Sequence, residues 1–204
     1  PGKFHFELGK RILGYAPLKS RVAYLRGETG VLASKKRPSL LSIKRIENPG
    51  AQFDRLWERC RIDYPYAVVR QSEFLRWRFC RHPEKNYEIF CLKGMFSEQI
   101  EGYAALYLRG RAAILVDMLF PKSEKRVAVF FSKIAHMLRS RGVLQIETWL
   151  PGSHFLKTAA ITAGFEEHDE PLGIISTIKS FDHSPDTNWI NNNFFYTMAD
   201  SDLF

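Results

Sequence analysis

The sequence predicts an α/β domain whose central sheet is mixed, mostly antiparallel, and flanked by helices. Three observations predict it. The chain has 204 residues, 45% hydrophobic and 25% charged with 16 Phe, enough apolar material for one ordinary core. Three apolar runs follow one another as a meander between residues 87 and 121. After them come a long amphipathic stretch, another apolar run and a shorter amphipathic one, the pattern of a strand–helix–strand crossover.

The elements follow in order. Residues 41–47 (LSIKRIE) alternate apolar and polar, as a half-buried strand does. Asn48-Pro49-Gly50 is a turn. Phe53, Leu56, Trp57 and Cys60 then share one helical face. Tyr64-Pro65 breaks that helix, and Ser72 is placed to cap a second one over residues 72–81. His82-Pro83 closes it, because the residue before proline avoids the helical region. Strands are expected over 87–94, 100–110 and 111–121, the last two joined by a tight turn at Gly110-Arg111. Val127, Phe130, Phe131, Ile134, Met137 and Leu138 make one stripe of the longest helix, 123–142. A strand over 143–151, a helix over 153–164, a strand over 172–181, a polar loop over 182–193 and a last strand over 194–200 complete the chain.

Charge is uneven. Residues 1–45 carry eleven Lys/Arg against Glu7 and Glu28, a surplus of nine that exceeds the net +8 of the whole chain. The basic residues are dispersed and no nucleic-acid motif accompanies them, so a solvated basic face is the plainer reading and nucleic acid is not the expected partner. Residues 1–40 read as a hairpin with a linker, or as the tail of a preceding domain; residues 41–204 read as the main domain. No apolar run approaches the ~20 residues that a membrane-spanning helix needs. Cys60, Cys80 and Cys91 are odd in number and widely spaced, so neither a disulfide framework nor a zinc site is expected, and reduced, cytoplasmic thiols are the plain reading. The six histidines form no metal-ligand pattern, and no metal is expected.

The element order resembles that of the GNAT superfamily of acyl-CoA-dependent N-acyltransferases. Four phrases make the chain resemble more closely the GNAT-like proteins of bacterial polysaccharide gene neighbourhoods. They are Tyr66-Ala67-Val68-Val69-Arg70, Phe74-Leu75-Arg76-Trp77-Arg78-Phe79, His82-Pro83 with Tyr87, and the C-terminal run from Tyr196 to Phe204. Such proteins often carry two GNAT-like halves. The resemblance therefore implies that residues 1–40 are the last strands of a first half, and that the domain pairs with itself or packs against a second half.

The resemblance implies an acetyl-CoA or other acyl-CoA co-substrate lying where two parallel strands splay apart, here 112–120 and 143–150. Met118, Leu119 and Phe120 would bind the pantetheine through main-chain groups. Lys122, Ser123, Lys125 and Arg126 would bind the pyrophosphate at the N-terminus of the long helix, where free N–H groups and the dipole favour an anion. The loop departs from the family's Gln/Arg-x-x-Gly-x-Gly/Ala pattern, for it holds no glycine, and Glu124 does not help an anion. Glu147 is the candidate general base. Asp117, which interrupts the run ILVDML, is a candidate functional carboxylate or else the partner of an arginine. The family's thiolate-protonating tyrosine is missing from 152–164, where Ser153 and His154 stand; Tyr196 is the candidate donor. The acceptor implied is an amino sugar or another small amine. A non-catalytic module with a degenerate CoA site is the competing reading.

Overall fold

The computed structural model describes residues 3–18, 22–35, 37–179 and 186–201. In chain order the elements are α1 (Lys3–Leu13), β1 (Ala16–Pro17), β2 (Val22–Glu28), α2 (Thr29–Ser34), β3 (Leu41–Ile46), α3 (Ala51–Cys60), α4 (Ser72–Leu75), β4 (Glu88–Gly94), β5 (Ile100–Arg109), β6 (Ala112–Leu119), α5 (Glu124–Ser140), β7 (Gln145–Pro151), α6 (Phe155–Ala163), β8 (Glu166–His168), β9 (Thr177–Ile178) and α7 (Thr187–Asn193). A 3₁₀ turn over Arg61–Asp63 follows α3, and α4 continues as a π-helical stretch, Arg76–Cys80.

Seven strands form one sheet in the order β3-β4-β5-β6-β7-β2-β8. Only β6 and β7 run parallel, as the crossover through α5 requires. Alternation decides the faces. Tyr103 turns toward α3, where its ring meets Phe53 at 5.6 Å. Phe120 turns the other way and meets Phe130 of α5 at 5.1 Å. Between them Gly102 lets the Phe120 ring lie on the β5 backbone; a Cβ there would stand 2.1 Å from that ring.

Several expectations from the sequence are corrected. Val22–Glu28 is neither hairpin nor linker: β2 lies inside the sheet, antiparallel to both β7 and β8, with Leu25 fully buried. Helix α1 was not expected; Gly9 argues against it locally, an amphipathic pattern carries it, and Gly14, at a φ of 68°, ends it. The strand expected over 172–181 shrinks to Thr177–Ile178, paired with β1, and residues 180 and 181 lie outside the described residues. The polar loop holds α7. The last strand reduces to a bridge between Tyr66 and Phe194, then a 3₁₀ turn over Met198–Asp200. Side chains decide that turn: Thr197 Oγ1 accepts from Ala199 N, and Asp200 reaches back to accept from Thr197 N at 2.8 Å. Ser72 is not a cap but the first residue of α4, and Asp54 of α3 accepts its N–H at 2.7 Å and its hydroxyl at 3.2 Å.

The C-terminal segment is fastened by a buried arginine. Arg70 and Asp117 are both fully buried, with Nε to Oδ1 at 3.0 Å. Arg70 also reaches Asp200 at 2.5 Å and the Val68 carbonyl at 2.9 Å. Asp117 accepts from Tyr103 at 2.6 Å and from Thr197 at 2.9 Å. Burial works against the Arg70 charge, but Asp117 and Asp200 outweigh it and hold the guanidinium charged. Arg78 adds two bonds to the same segment, at the Ala199 and Ser201 carbonyls. Removing one partner of such a knot strands the others without water. Arg70→Met should therefore lower unfolding free energy by about 3–5 kcal/mol in urea titration. A loss below about 1 kcal/mol would show that the knot does not hold the segment. Gly102→Ala, which drives a methyl group into Phe120, should cost about 1–3 kcal/mol in the same assay.

Candidate functional site

The parallel pair β6–β7 defines the site. Its register runs only from Ala112↔Gln145 to Leu115↔Thr148. Beyond that point β6 continues to Leu119 and β7 to Pro151 without pairing with each other, so the two strands part. A bulge in β6 starts the parting. Leu115 faces Leu106 and Asp117 faces Ala105, which leaves Val116 without a partner on β5. The extra residue bends β6 at the place where β7 leaves it. Met118, Leu119 and Phe120 form its far wall, all fully buried.

The chain fills this splay with its own side chains. Tyr64, buried, sends its hydroxyl to the end of β6, donating to the Phe120 carbonyl at 2.8 Å and accepting from the Phe120 N–H at 3.2 Å. One hydroxyl thus satisfies both main-chain groups of that residue, as a neighbouring strand would. Burial raises the Tyr64 hydroxyl well above the ordinary tyrosine range, which keeps it a neutral donor. The Tyr64 ring packs on Phe195 at 4.7 Å, His154 at 4.9 Å and Phe155 at 6.1 Å, bridging from β6 to the turn after β7. One residue earlier, Asp63 accepts the Lys122 N–H at 3.1 Å, just before α5. Ser123 caps that helix by accepting from Arg126 N at 3.4 Å. The Arg126 guanidinium pairs with Glu101 at 2.8 Å, while Lys122 and Lys125 are exposed.

Of the residues expected to act, Asp117 is the carboxylate of the Arg70 knot. Glu147 lies one pair before the splay, opposite Ile114, and is almost fully buried. It belongs to a separate network, accepting from Tyr24 at 2.7 Å, Arg109 at 2.9 Å and Gln145 at 2.7 Å. Burial, then the bond to Glu147, pushes the Tyr24 hydroxyl up to about 12. Tyr196 is buried beside Phe194, 5.3 Å between rings, on the C-terminal segment. The structure thus brings Met118–Phe120 and residues 122–126 to one end of the sheet, and holds Asp117 and Glu147 in two different networks. Sequence reasoning missed Asp63, and read Tyr64 only as part of a helix break. It also missed Arg70, although Arg70 ends one of the phrases that carry the family resemblance.

His154 caps α6, its Nδ1 accepting from Leu156 N at 3.4 Å. Its Nε2 is buried against the Asp63 main chain without a hydrogen bond that meets ordinary geometry. Three aromatic rings lie within 4.9 Å of it, centroid to centroid. Burial pushes its pKa down from 6.5 to about 3. The unfolded chain therefore takes up a proton between pH ~6.5 and ~3 that the folded chain refuses. His154 should contribute no pH penalty above 6.5 and an increasing loss of stability as pH falls through that window. His154→Leu should flatten the fall in melting temperature between pH 6.5 and 4 relative to the parent protein. Parallel curves for the two would show that the histidine is not buried neutral.

Among the described residues no group of His, Cys, Asp or Glu is placed to hold a metal ion, and no helix is long and apolar enough to cross a membrane. No family model matches the sequence, and no curated protein matches it. Solved structures do. A GCN5-related N-acetyltransferase from Anabaena variabilis matches with a TM-score of 0.58 at 12% identity, over 83% of this chain and 42% of its own. A probable N-acyltransferase from Enterococcus faecalis matches at 0.55 and 14%, over 87% of this chain and 41% of its own. A conserved protein of unknown function from Staphylococcus epidermidis matches at 0.52 and 10%, over 82% of this chain and 64% of its own. The chain thus spans between two fifths and two thirds of the length of these structures. The fold, a mixed sheet with one parallel pair that splays beside the start of a helix, is that of the GCN5-related N-acetyltransferases.

Proposed function

We propose that the chain is an acyltransferase of the N-acyl type, taking an acyl group from acetyl-CoA or another acyl-CoA and giving it to an amino sugar or other small amine. The observation that carries this reading is the parting of β6 and β7 after Leu115 and Thr148, next to the capped start of α5. Direct attack of an amine needs positioning and an oxyanion donor rather than a nucleophilic side chain. Cys60 and Cys91 fit that account: both are buried, and burial pushes their thiols up, to about 12 and about 11, away from reactivity.

The residues do not present an open acyl-CoA site as they stand. The Phe120 main chain is satisfied by Tyr64, and the Lys122 N–H is taken by Asp63. The loop lacks the glycine that lets phosphate approach the backbone. Binding therefore requires Asp63 and Tyr64 to withdraw from the splay. The segment suits such a movement in one respect: Ile62, Tyr66, Val68 and Val69 around it are exposed. Lys122 and Lys125 would then face the phosphates from the solvent side.

The same plug favours a second reading, a non-catalytic GNAT-fold module whose cleft is permanently filled. A thermal melt separates the two. With acetyl-CoA at ~100 times its Kd, binding adds about 2.7 kcal/mol, a rise of about 5–11 °C for a chain of this size. The acyltransferase reading expects that rise in the parent protein, reduced when Lys122 and Lys125 are both changed to Ala, and thiol release with an amine acceptor. A rise seen only in Tyr64→Ala would show a cleft competent for CoA but kept shut. No rise in either, across several acyl-CoAs and with both proteins folded, would sink acyl transfer and leave the filled module.

A further inference from the structure

A second concavity lies two strands from the splay, on the α5 side of the sheet. It is a groove of about 1300 Å³ between α5, the edge strand β3 and its neighbour β4, and the stretch from Ala33 to Ser39. The floor is apolar: Leu41, Ile43 and Phe90 point into it from one sheet face, and Met137 closes it from α5. The groove follows β4, seven residues or about 20 Å.

Its two ends differ. At the Glu88 end, Arg141 holds Glu88 through both carboxylate oxygens, at 2.6 and 2.9 Å, and Arg45 approaches the same carboxylate at 3.7 Å. Arg37 and Lys133 also line the groove, and neither forms an ion pair among the described residues. Glu88 is the one acid among the described lining residues, against four Lys/Arg. At the far end Met95 lines the groove and is 61% exposed, beside Leu40 at 70% and Phe96 at 89%. The Met95 N–H bonds to the Leu40 carbonyl at 2.9 Å, which brings the two apolar residues together at this end.

An apolar floor about 20 Å long, a surplus of positive charge and an apolar exit are complementary to one kind of molecule. We propose that this groove binds a single-chain amphiphile with an anionic head group, the head among Arg45, Lys133 and Arg141 and the chain running along Leu41, Ile43 and Phe90 to Met95. The cations offset the desolvation of the head. Each methylene laid on the floor adds roughly fourfold in affinity when fully buried. Nothing in this site depends on what the splay binds.

Calorimetric titration of the intact chain tests it, with lauroyl- and myristoyl-lysophosphatidylglycerol kept below their micelle concentrations. Lysophosphatidylcholine of the same chain lengths and glycerol phosphate are the comparisons. Saturable one-to-one binding is expected for the anionic lipids, up to about fifteenfold tighter for myristoyl than for lauroyl. Lysophosphatidylcholine should bind about tenfold more weakly, and glycerol phosphate should show no heat of binding. Lys133→Glu should weaken the anionic lipid by about tenfold, and Met95→Asp should remove the chain-length dependence. Arg45→Glu replaces Lys133→Glu if the latter lowers the melting temperature. Equal binding of anionic and zwitterionic lipids, indifference to these substitutions, or no binding at all would each overturn the proposal.

Discussion

A charge that cannot leave the interior organises this molecule. Arg70 has no exposed surface, yet it lies between two carboxylates and over the Phe195 ring, 4.9 Å from its centroid. A buried guanidinium tolerates no vacancy among its partners, because the alternative is an unpaired charge away from water. Arg70 comes from the stretch after α3, Asp117 from the bulged end of β6, and Thr197 and Asp200 from the C-terminal segment. The knot therefore ties three distant parts of the chain together at the end of β6 where the sheet parts. Arg78 extends it to Ser201.

The position of the knot has a consequence for the splay. Holding residues 195–200 against β6 puts Phe195 beside Tyr64 and His154, so the cleft is packed from the C-terminal side. Tyr64 then pairs with the Phe120 main chain, and one phenol satisfies a donor and an acceptor that a splayed strand otherwise leaves open. Parting two parallel strands is costly unless something else meets their polar groups. In this protein a side chain does. The glycine-free loop before α5 belongs to the same picture, since the Asp63 carboxylate already occupies its Lys122 N–H.

The alternating and helical patterns between residues 41 and 164 were legible because burial is periodic there and nearest-neighbour chemistry agrees with it. Gly110 at the β5–β6 turn and Gly164 after α6 both have positive φ, the conformation that such ends demand. The C-terminal third was less legible. Residues 194–200 look like a strand by composition, but Thr197 and Asp200 bond back onto their own main chain and Arg70 captures them, so no ladder forms. Within the candidate site, Met118–Phe120 and residues 122–126 were singled out by the family resemblance, and the structure puts them at one end of the sheet. The plug did not, since Tyr64 touches Phe120 across 56 positions.

By itself, then, the sequence determined most of the elements between residues 41 and 164 and the parallel crossover through the long helix. Each of these rests on local periodicity and on the handedness and order of connections. The tertiary structure alone decided that Val22–Glu28 is an inner strand of the sheet, that Asp117 serves an arginine and Glu147 a tyrosine and an arginine, and that the splay is filled. Those outcomes depend on which buried polar groups meet across long stretches of chain. The need for each to find a partner is a property of the assembled interior, and no window of the sequence displays it.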